Sequence, residues 1–281
     1  MSNSIPEIML PNGMKIFYLQ SDEVKFLYEQ VQGYCKNGIE LHEGDTVFDV
    51  GANIGLFTLR AYELCNKNVS VYAFEPIPAI FEVLHCNAQR FDSKKLKVFP
   101  YGLSDKSKKT NFTYLPNATG LSTAYLDGSK QERDEFKNTI LRNLGNAPNY
   151  ISWISILRWL PPFLRSFILD KKIQKAFQQI EQVTCKLKTL SEVIREHDIR
   201  SIDLLKVDVE KSELDVLLGI ADQDWSKIKQ VFVEIDDWNH HGEKIISLLK
   251  NHGFNGITIE QDPVLMGSKM FNLYALRRYI E

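Results

Sequence analysis

The run Val47-Phe48-Asp49-Val50-Gly51-Ala52-Asn53-Ile54-Gly55-Leu56-Phe57-Thr58 limits the fold more than any other stretch of this chain. Val47, Phe48 and Val50 have the β-branched and aromatic character of a strand covered on both faces. Gly51 and Gly55 then remove Cβ at two points, where a ligand would approach the backbone and where the next helix would pack. From Ile54 onward the apolar residues crowd at helical spacing. A strand, a tight turn and a helix in that order set the unpaired N–H groups of a helix start beside a strand end, where an anion can bind.

The turn is not of the dinucleotide kind. That fingerprint reads G-x-G-x-x-G, whereas here Asn53 and Leu56 stand where the second and third glycines would fall. Such a turn suits a ligand with a carboxylate and a sugar but no pyrophosphate, which disfavours a nicotinamide-dependent oxidoreductase. A second strand, Val71 to Phe74, runs into Glu75-Pro76. An acid at that point can accept both hydroxyls of a ribose; the plainer reading is a surface charge at a strand end.

D-x-G-A-N-x-G followed by A-F-E-P resembles the pattern of S-adenosylmethionine-dependent methyltransferases, and the chain is identified as a member of their FkbM-type O-methyltransferase branch. The likeness continues through Leu204-Leu205-Lys206-Val207-Asp208-Val209-Glu210-Lys211-Ser212-Glu213, through Val231-Phe232-Val233-Glu234, and through Ile259-Glu260-Gln261-Asp262-Pro263. It covers nearly the whole chain and is weakest from about Leu126 to Gln182. The wording K-x-D-V-x-K-S-E resembles the subgroup embedded in, or working beside, polyketide synthases and nonribosomal peptide synthetases.

The resemblance implies an α/β class I methyltransferase (Rossmann-like) fold: a mostly parallel seven-stranded sheet with one antiparallel edge strand. It implies one domain over residues 1–281, with an N-terminal arm at 1–43 and a helical lid inserted at 116–184. S-adenosylmethionine is the implied cofactor, with Asp49, Gly51, Ala52, Asn53, Gly55, Glu75, Pro76, Tyr101, Gly102, Leu103 and Asp208 expected around it. The implied activity is O-methylation of a hydroxyl on a polyketide or peptide intermediate, free or tethered to a carrier protein, with docking to a synthase module. The alternatives are a sugar or other small metabolite as acceptor, or a degenerate module that only binds the cofactor.

Bulk properties fit a soluble globular chain. Of 281 residues, 44% are hydrophobic and 25% charged, enough for a sizeable core. A net charge of −2 gives no field to recruit nucleic acid or an anionic membrane. The four cysteines (Cys35, Cys65, Cys86, Cys185) show neither C-x-x-C nor zinc spacing. The opening Met1 to Pro6 lacks the regions of a signal peptide, so reduced thiols and a cytoplasmic location are expected.

Along the chain, Ile8 to Tyr18 reads as a hairpin about Asn12-Gly13. Asp22 to Lys36 reads as a helix capped by Ser21 or Asp22 and stopped near Gly38, with Val24, Leu27, Tyr28, Val31 and Tyr34 as its apolar stripe. In the resembling family this arm covers the cofactor, so Tyr28 is either a site residue or, the better reading, core. Further elements are expected at Ala79 to Arg90, Leu96 to Tyr101 and Asn111 to Leu115. Lys106 to Lys109 reads as a solvated turn, and Thr119-Gly120-Leu121-Ser122 matches a family turn near the cofactor.

Asp127 to Leu144 reads as a polar helix. Ile151 to Leu169 is strongly apolar, yet Arg158, Pro161-Pro162 and Arg165 interrupt it too often for a bilayer span, which needs roughly 20 apolar residues. It reads as a lid over an apolar substrate chain or as a docking patch; exclusion of water from methyl transfer favours the lid. Ser191 to His197, with Ser191 as cap, Ser212 to Gly219 and Glu243 to Asn251 read as helices. Ile202 to Val209 and Ile228 to Ile235 read as strands, and 256–260 with 271–276 as an antiparallel edge pair.

Asp208 and Glu234 end two of these strands. In-line methyl transfer to a hydroxyl requires close approach and a group to take up the hydroxyl proton, so both acids are candidate catalytic residues. An acid on each of these neighbouring strand ends can also hold Mg²⁺, with waters or substrate completing its shell, as paired carboxylates do in catechol-type methyltransferases. Octahedral ligation demands more donors, and no residue is assigned as a metal ligand. The family wording after this strand is E-V-H-D, and Asp236 stands here in place of the histidine. His240 and His241 follow in the same loop and are the remaining candidates for a base at neutral pH, against the reading as exposed loop histidines.

Overall fold

A computed structural model describes residues 5–125, 129–146, 152–236 and 238–277. The expected helix start at Asp127 and the first residue of the apolar segment, Ile151, lie outside the described residues.

The arm begins with a hairpin of β1 (Glu7–Met9) and β2 (Lys15–Phe17), with Ile8 opposite Ile16. Gly13 at its turn has φ +86°, as an Asn-Gly turn requires. Helix α1 (Ser21–Gln32) follows Gln20 and has no side-chain cap; Asp22 and Glu23 instead sit in its first turn, where they favour the helix dipole. It stops at Gly33, a turn earlier than expected, so Tyr34 leaves the helix and turns inward.

The central unit runs β3 (Thr46–Val50), α2 (Leu56–Leu64), β4 (Ser70–Phe74), α3 (Pro78–Asp92) and β5 (Leu96–Phe99). Val47, Phe48 and Val50 are fully buried, as a strand covered on both faces must be. Next come β6 (Gly102–Leu103) and β7 (Lys108–Tyr114), then α4 (Lys130–Asn143), α5 (Ser152–Leu157), α6 (Pro162–Ala176) and β8 (Glu181–Lys188). β6, β8 and β7 form a separate three-stranded sheet. The basic run read as a turn therefore ends inside a strand, with Lys108 opposite Leu187. Strand β8 has its alternating Val183, Cys185 and Leu187 turned inward. Helices α4 to α6, with Leu144 just after α4, pack Ile140, Leu144, Ile154, Leu157 and Leu169 into a small core with Val264.

The chain re-enters the main sheet through α7 (Leu190–Glu196), β9 (Leu204–Val207), α8 (Glu213–Leu218), α9 (Asp222–Trp225), β10 (Gln230–Ile235), α10 (Glu243–Asn251), β11 (Gly256–Glu260) and β12 (Phe271–Leu276). The cap of α7 is Thr189, not Ser191: Thr189 and Glu192 form a reciprocal capping box, and Ser191 accepts from Ala221 N–H instead.

The main sheet has the order β11-β12-β10-β9-β3-β4-β5. Strands β10, β9, β3, β4 and β5 run parallel, and β12 is antiparallel to both β10 and β11. The reversed strand thus lies one place in from the edge rather than at it. Its Leu273, Tyr274 and Ala275 are almost wholly buried, whereas Thr258 and Ile259 of β11 are exposed, so the more apolar strand takes the inner place. From β3 the chain winds outward through β4 and β5, then crosses back to β9 and β10 on the other side. Between β3 and β9 lies the switch point, where crevices open at the carboxyl ends of parallel strands. Among the described residues no helix is long and apolar enough to cross a membrane.

Candidate active site at the strand switch point

A cleft with about 1040 Å³ of empty space, part of it open to solvent, lies at the carboxyl ends of β3, β4 and β9. Gly51, Asn53, Glu75, Gly102, Asp208 and Glu210 are among its walls.

On the β4 side the glycine turn sets the geometry. Gly51 has φ +76°, and a Cβ there would fall 1.8 Å from the carbonyl oxygen of Asp208. The close neighbour that demands glycine is therefore the end of β9, not a ligand. A Cβ on Gly55 would meet Leu84 of α3 at 2.8 Å, so that glycine serves helix packing. Asn53 is left-handed, with φ +49°, and its Oδ1 accepts from Ile54 N–H at 2.7 Å. Its own N–H donates to Glu75 Oε2 at 3.1 Å, and Ile77 N–H donates to Oε1 at 2.9 Å. Each oxygen of Glu75 thus accepts one backbone N–H and keeps a lone pair for another donor. Burial pushes this carboxyl up to about 7, although both N–H groups and Lys206 oppose the rise.

Pro76, Gly102 and Leu103 line the cleft as expected. Asp49, Ala52, Gly55 and Tyr101 do not. Asp49 is fully buried and accepts from Thr58 Oγ1 at 2.6 Å. Ala52 is buried with its N–H bound to Phe74 O, and Tyr101 packs on Phe74 and Phe99. The first-turn residues Leu56, Phe57 and Thr58 of α2 are buried outside the cleft lining. Gly51 and Asn53 of the turn, rather than the helix start behind it, line the cleft.

On the β9 side the side chains are charged and interlocked. Lys206 is 2% exposed; its Nζ donates to Gly51 O at 2.8 Å and lies 3.1 Å from Asp49 Oδ1 and 3.4 Å from Asp208 Oδ2. Burial alone would lower the ammonium, but the charges of Asp49 and Asp208 outweigh it and hold it above its ordinary value. Asp208 reaches the cleft. The Tyr34 hydroxyl lies 3.0 Å from Asp208 Oδ2 and 2.9 Å from Glu234 Oε2. Gln30 Nε2 donates to both oxygens of Glu234, at 3.1 and 3.0 Å. Glu234 is buried and does not line the cleft; burial, then the charges of Asp208 and Asp236, push it well above the carboxylate range.

Asp236 is also buried and accepts from Lys211 N–H at 3.2 Å, with Glu213 as its neighbour. Burial and the Glu213 charge push it well up. His240 and His241 sit in a single π-helical turn, Trp238–Gly242, the first exposed and the second half-buried, and neither lines the cleft. Among the described residues no group of three or more His, Cys, Asp or Glu side chains is arranged to hold a metal ion.

The arm roofs the cleft. Leu27 and Gln30 of α1 line it, while Tyr28 packs on the core. The Thr119 hydroxyl donates to Glu23 Oε2 at 3.0 Å, and Asn53 Nδ2 donates to Thr119 Oγ1 at 3.3 Å. These bonds tie α1 to the Thr119-Gly120 turn and to the glycine turn below it. No described residue of α4, α5 or α6 lines the cleft; α4 meets its rim through the Glu132–Lys211 ion pair. Ile156, Trp159, Phe163 and Phe167 face solvent.

Sequence reasoning did not single out Lys206, Tyr34, Gln30 or Glu23 as site residues. Lys206 carried a signal, a lone cation in the otherwise apolar run 204–207. The other three carried none that separates them from an ordinary amphipathic helix.

Residues 49–255 match the family model described as Methyltransferase FkbM domain. The chain is 34% identical over 280 residues to the 31-O-demethyl-FK506 methyltransferase FkbM of Streptomyces tacrolimicus, covering 99% of both. It is 34% identical over 281 residues to the AMB antimetabolite synthetase AmbE of Pseudomonas aeruginosa, covering 96% of this chain and 12% of that protein. Methyltransferase sdnD of Sordaria araneosa is 28% identical over 288 residues, with 97% of both chains covered.

Proposed function

The chain belongs to the FkbM methyltransferase family and is an S-adenosylmethionine-dependent methyltransferase; from that premise we propose that it O-methylates a hydroxyl of a natural-product intermediate, free or tethered to a carrier protein. The observation that carries this reading is the placing of two acids on opposite walls of one cleft, Glu75 after β4 and Asp208 after β9. Glu75 keeps acceptor capacity on both oxygens for the two hydroxyls of a ribose. Pro76, Ile77, Gly102 and Leu103 would give an apolar slot for a flat base, and Gly51 and Asn53 line the same cleft.

When bound, S-adenosylmethionine supplies a methyl group made electrophilic by its sulfonium. Asp208 orients the acceptor hydroxyl and takes its proton, while Lys206 pairs with Asp208 from below at 3.4 Å. Glu234 lies behind Tyr34 and acts through it rather than on the acceptor. The natural-product acceptor rests on the relatives, one named for methylating an oxygen of FK506 and one a synthetase.

The test is a screen with methyl-labelled cofactor across free polyketide and peptide alcohols, carrier-bound thioesters, and sugars. Label on the oxygen of a polyketide or peptide acceptor is expected. Label on sugars alone would move the acceptor class, and cofactor binding without transfer to any alcohol would favour a binding module.

A further inference from the structure

Resting on the assignment of Asp208 to the acceptor hydroxyl, we propose that Tyr34 is a positioning residue for methyl transfer: its hydroxyl holds one oxygen of Asp208 and leaves the other to the acceptor. Tyr34 comes from the arm, 174 residues before Asp208, and is 3% exposed. Its ring is stacked on Phe232 at 4.3 Å and tilted against Phe57 at 5.7 Å, so packing fixes where the hydroxyl points. Among the described residues, the polar contacts of the Asp208 side chain fall on Oδ2, from Tyr34 and Lys206. Oδ1 is the oxygen left for a substrate.

The hydroxyl has one proton and two carboxyl oxygens within reach, at 2.9 and 3.0 Å. Both contacts are hydrogen bonds only if one carboxyl carries a proton of its own. Lys206 lies against Asp208, and Glu234 is sealed behind Gln30 and Tyr34. The proton therefore belongs on Glu234, which donates to Tyr34, which donates to Asp208. Burial and the adjoining charges hold the phenol well above its usual value, so it stays a donor.

Around Asp208 stand the acids Asp49 on β3, Glu210 on its own loop, Glu213 on α8, and Glu234 and Asp236 at the end of β10. Among the described residues, Lys206 and the Tyr34 hydroxyl are the groups that contact the Asp208 side chain directly. In the transfer step the acceptor oxygen bonds the methyl carbon as the carbon–sulfur bond breaks, and the electron pair stays on sulfur. The hydroxyl proton passes to Asp208 Oδ1 and is lost to solvent in turnover.

Tyr34→Phe in the full chain keeps the stacked ring and removes the donor. Cofactor affinity is expected to stay within about two-fold, while kcat at neutral pH falls ~10–100-fold, the scale of a lost hydrogen bond to a charged group. The acid limb of the kcat–pH profile should move up by about one unit, with partial recovery at high pH. Glu234→Gln, which keeps a donor beside Tyr34, should lower kcat by less than Tyr34→Phe does. An unchanged profile for Tyr34→Phe, a loss equal at every pH, or a Glu234→Gln as inactive as Asp208→Asn would each overturn the proposal. Full activity in Asp208→Asn would instead remove the assignment of Asp208 itself.

Discussion

On the β4 wall of the cleft, Glu75 is held by two backbone N–H groups, one from the turn before it and one from the residue two places after it. On the β9 wall, Asp208 is held by Tyr34 and Lys206, with Glu234, Gln30 and Asp49 behind them. The first acid owes its place to strand-end geometry and needs no other side chain. The second belongs to a network of side chains from four separate parts of the chain, in which each member is placed by the others. A backbone-held acid suits a constant task, gripping a donor that does not vary. A side-chain network suits the wall proposed here to meet the acceptor, because single replacements there retune it.

The sharpest way to break this contrast is to disable each wall separately. Asp208→Asn should lower kcat by ~10²–10⁴-fold, the usual worth of a proton-accepting group, and leave cofactor affinity within a few-fold. A parallel loss of affinity in a calorimetric titration would show that the two walls do not divide the work. Next in size is Lys206→Met, which leaves Asp49 and Asp208 without their buried cation. Stability to urea should fall by about 3–5 kcal/mol; a change below about 1 kcal/mol would mean that the network does not depend on Lys206.

Smaller is a dependence of stability on pH in the ligand-free protein. Burial raises Glu75 to about 7 and Glu213 to about 8, both from 4.5. A carboxyl raised in the folded state binds more protons there than in the unfolded chain between the two values. Stability should thus increase as pH falls from about 8 toward 5, where ordinary carboxylates change little. The melting temperature should climb over that window, and Glu75→Gln should remove the part near neutrality. A melting temperature that falls steadily from pH 8 to 6 would contradict the buried-acid picture.

The same contrast governs what was legible from sequence. The β4 wall lies within Asp49 to Ile77, and its glycine turn and E-P ending are local patterns whose geometry follows from strand, turn and helix. The five parallel strands of the main sheet were visible because buried parallel strands read as apolar runs. The β9 wall shows its acids in sequence, but not their partners. Tyr34 looks like one more apolar position on a helix stripe, and only the helix stop at Gly33 turns its hydroxyl toward Asp208. Asp49 reads as a ligand contact until Lys206, from a distant strand, is set beside it. Two misses were local and avoidable. Thr189-x-x-Glu192 is a capping box that outranks Ser191, and Val183, Cys185 and Leu187 alternate as strand β8 requires.

The direct measurement is a calorimetric titration of S-adenosylmethionine into the native chain and into Glu75→Ala at pH 8. With Glu75 holding the ribose, the variant should bind about 10-fold or more weakly, the scale of a lost charge-assisted contact. Equal affinity in the two proteins would place the donor elsewhere and undo the division of the cleft.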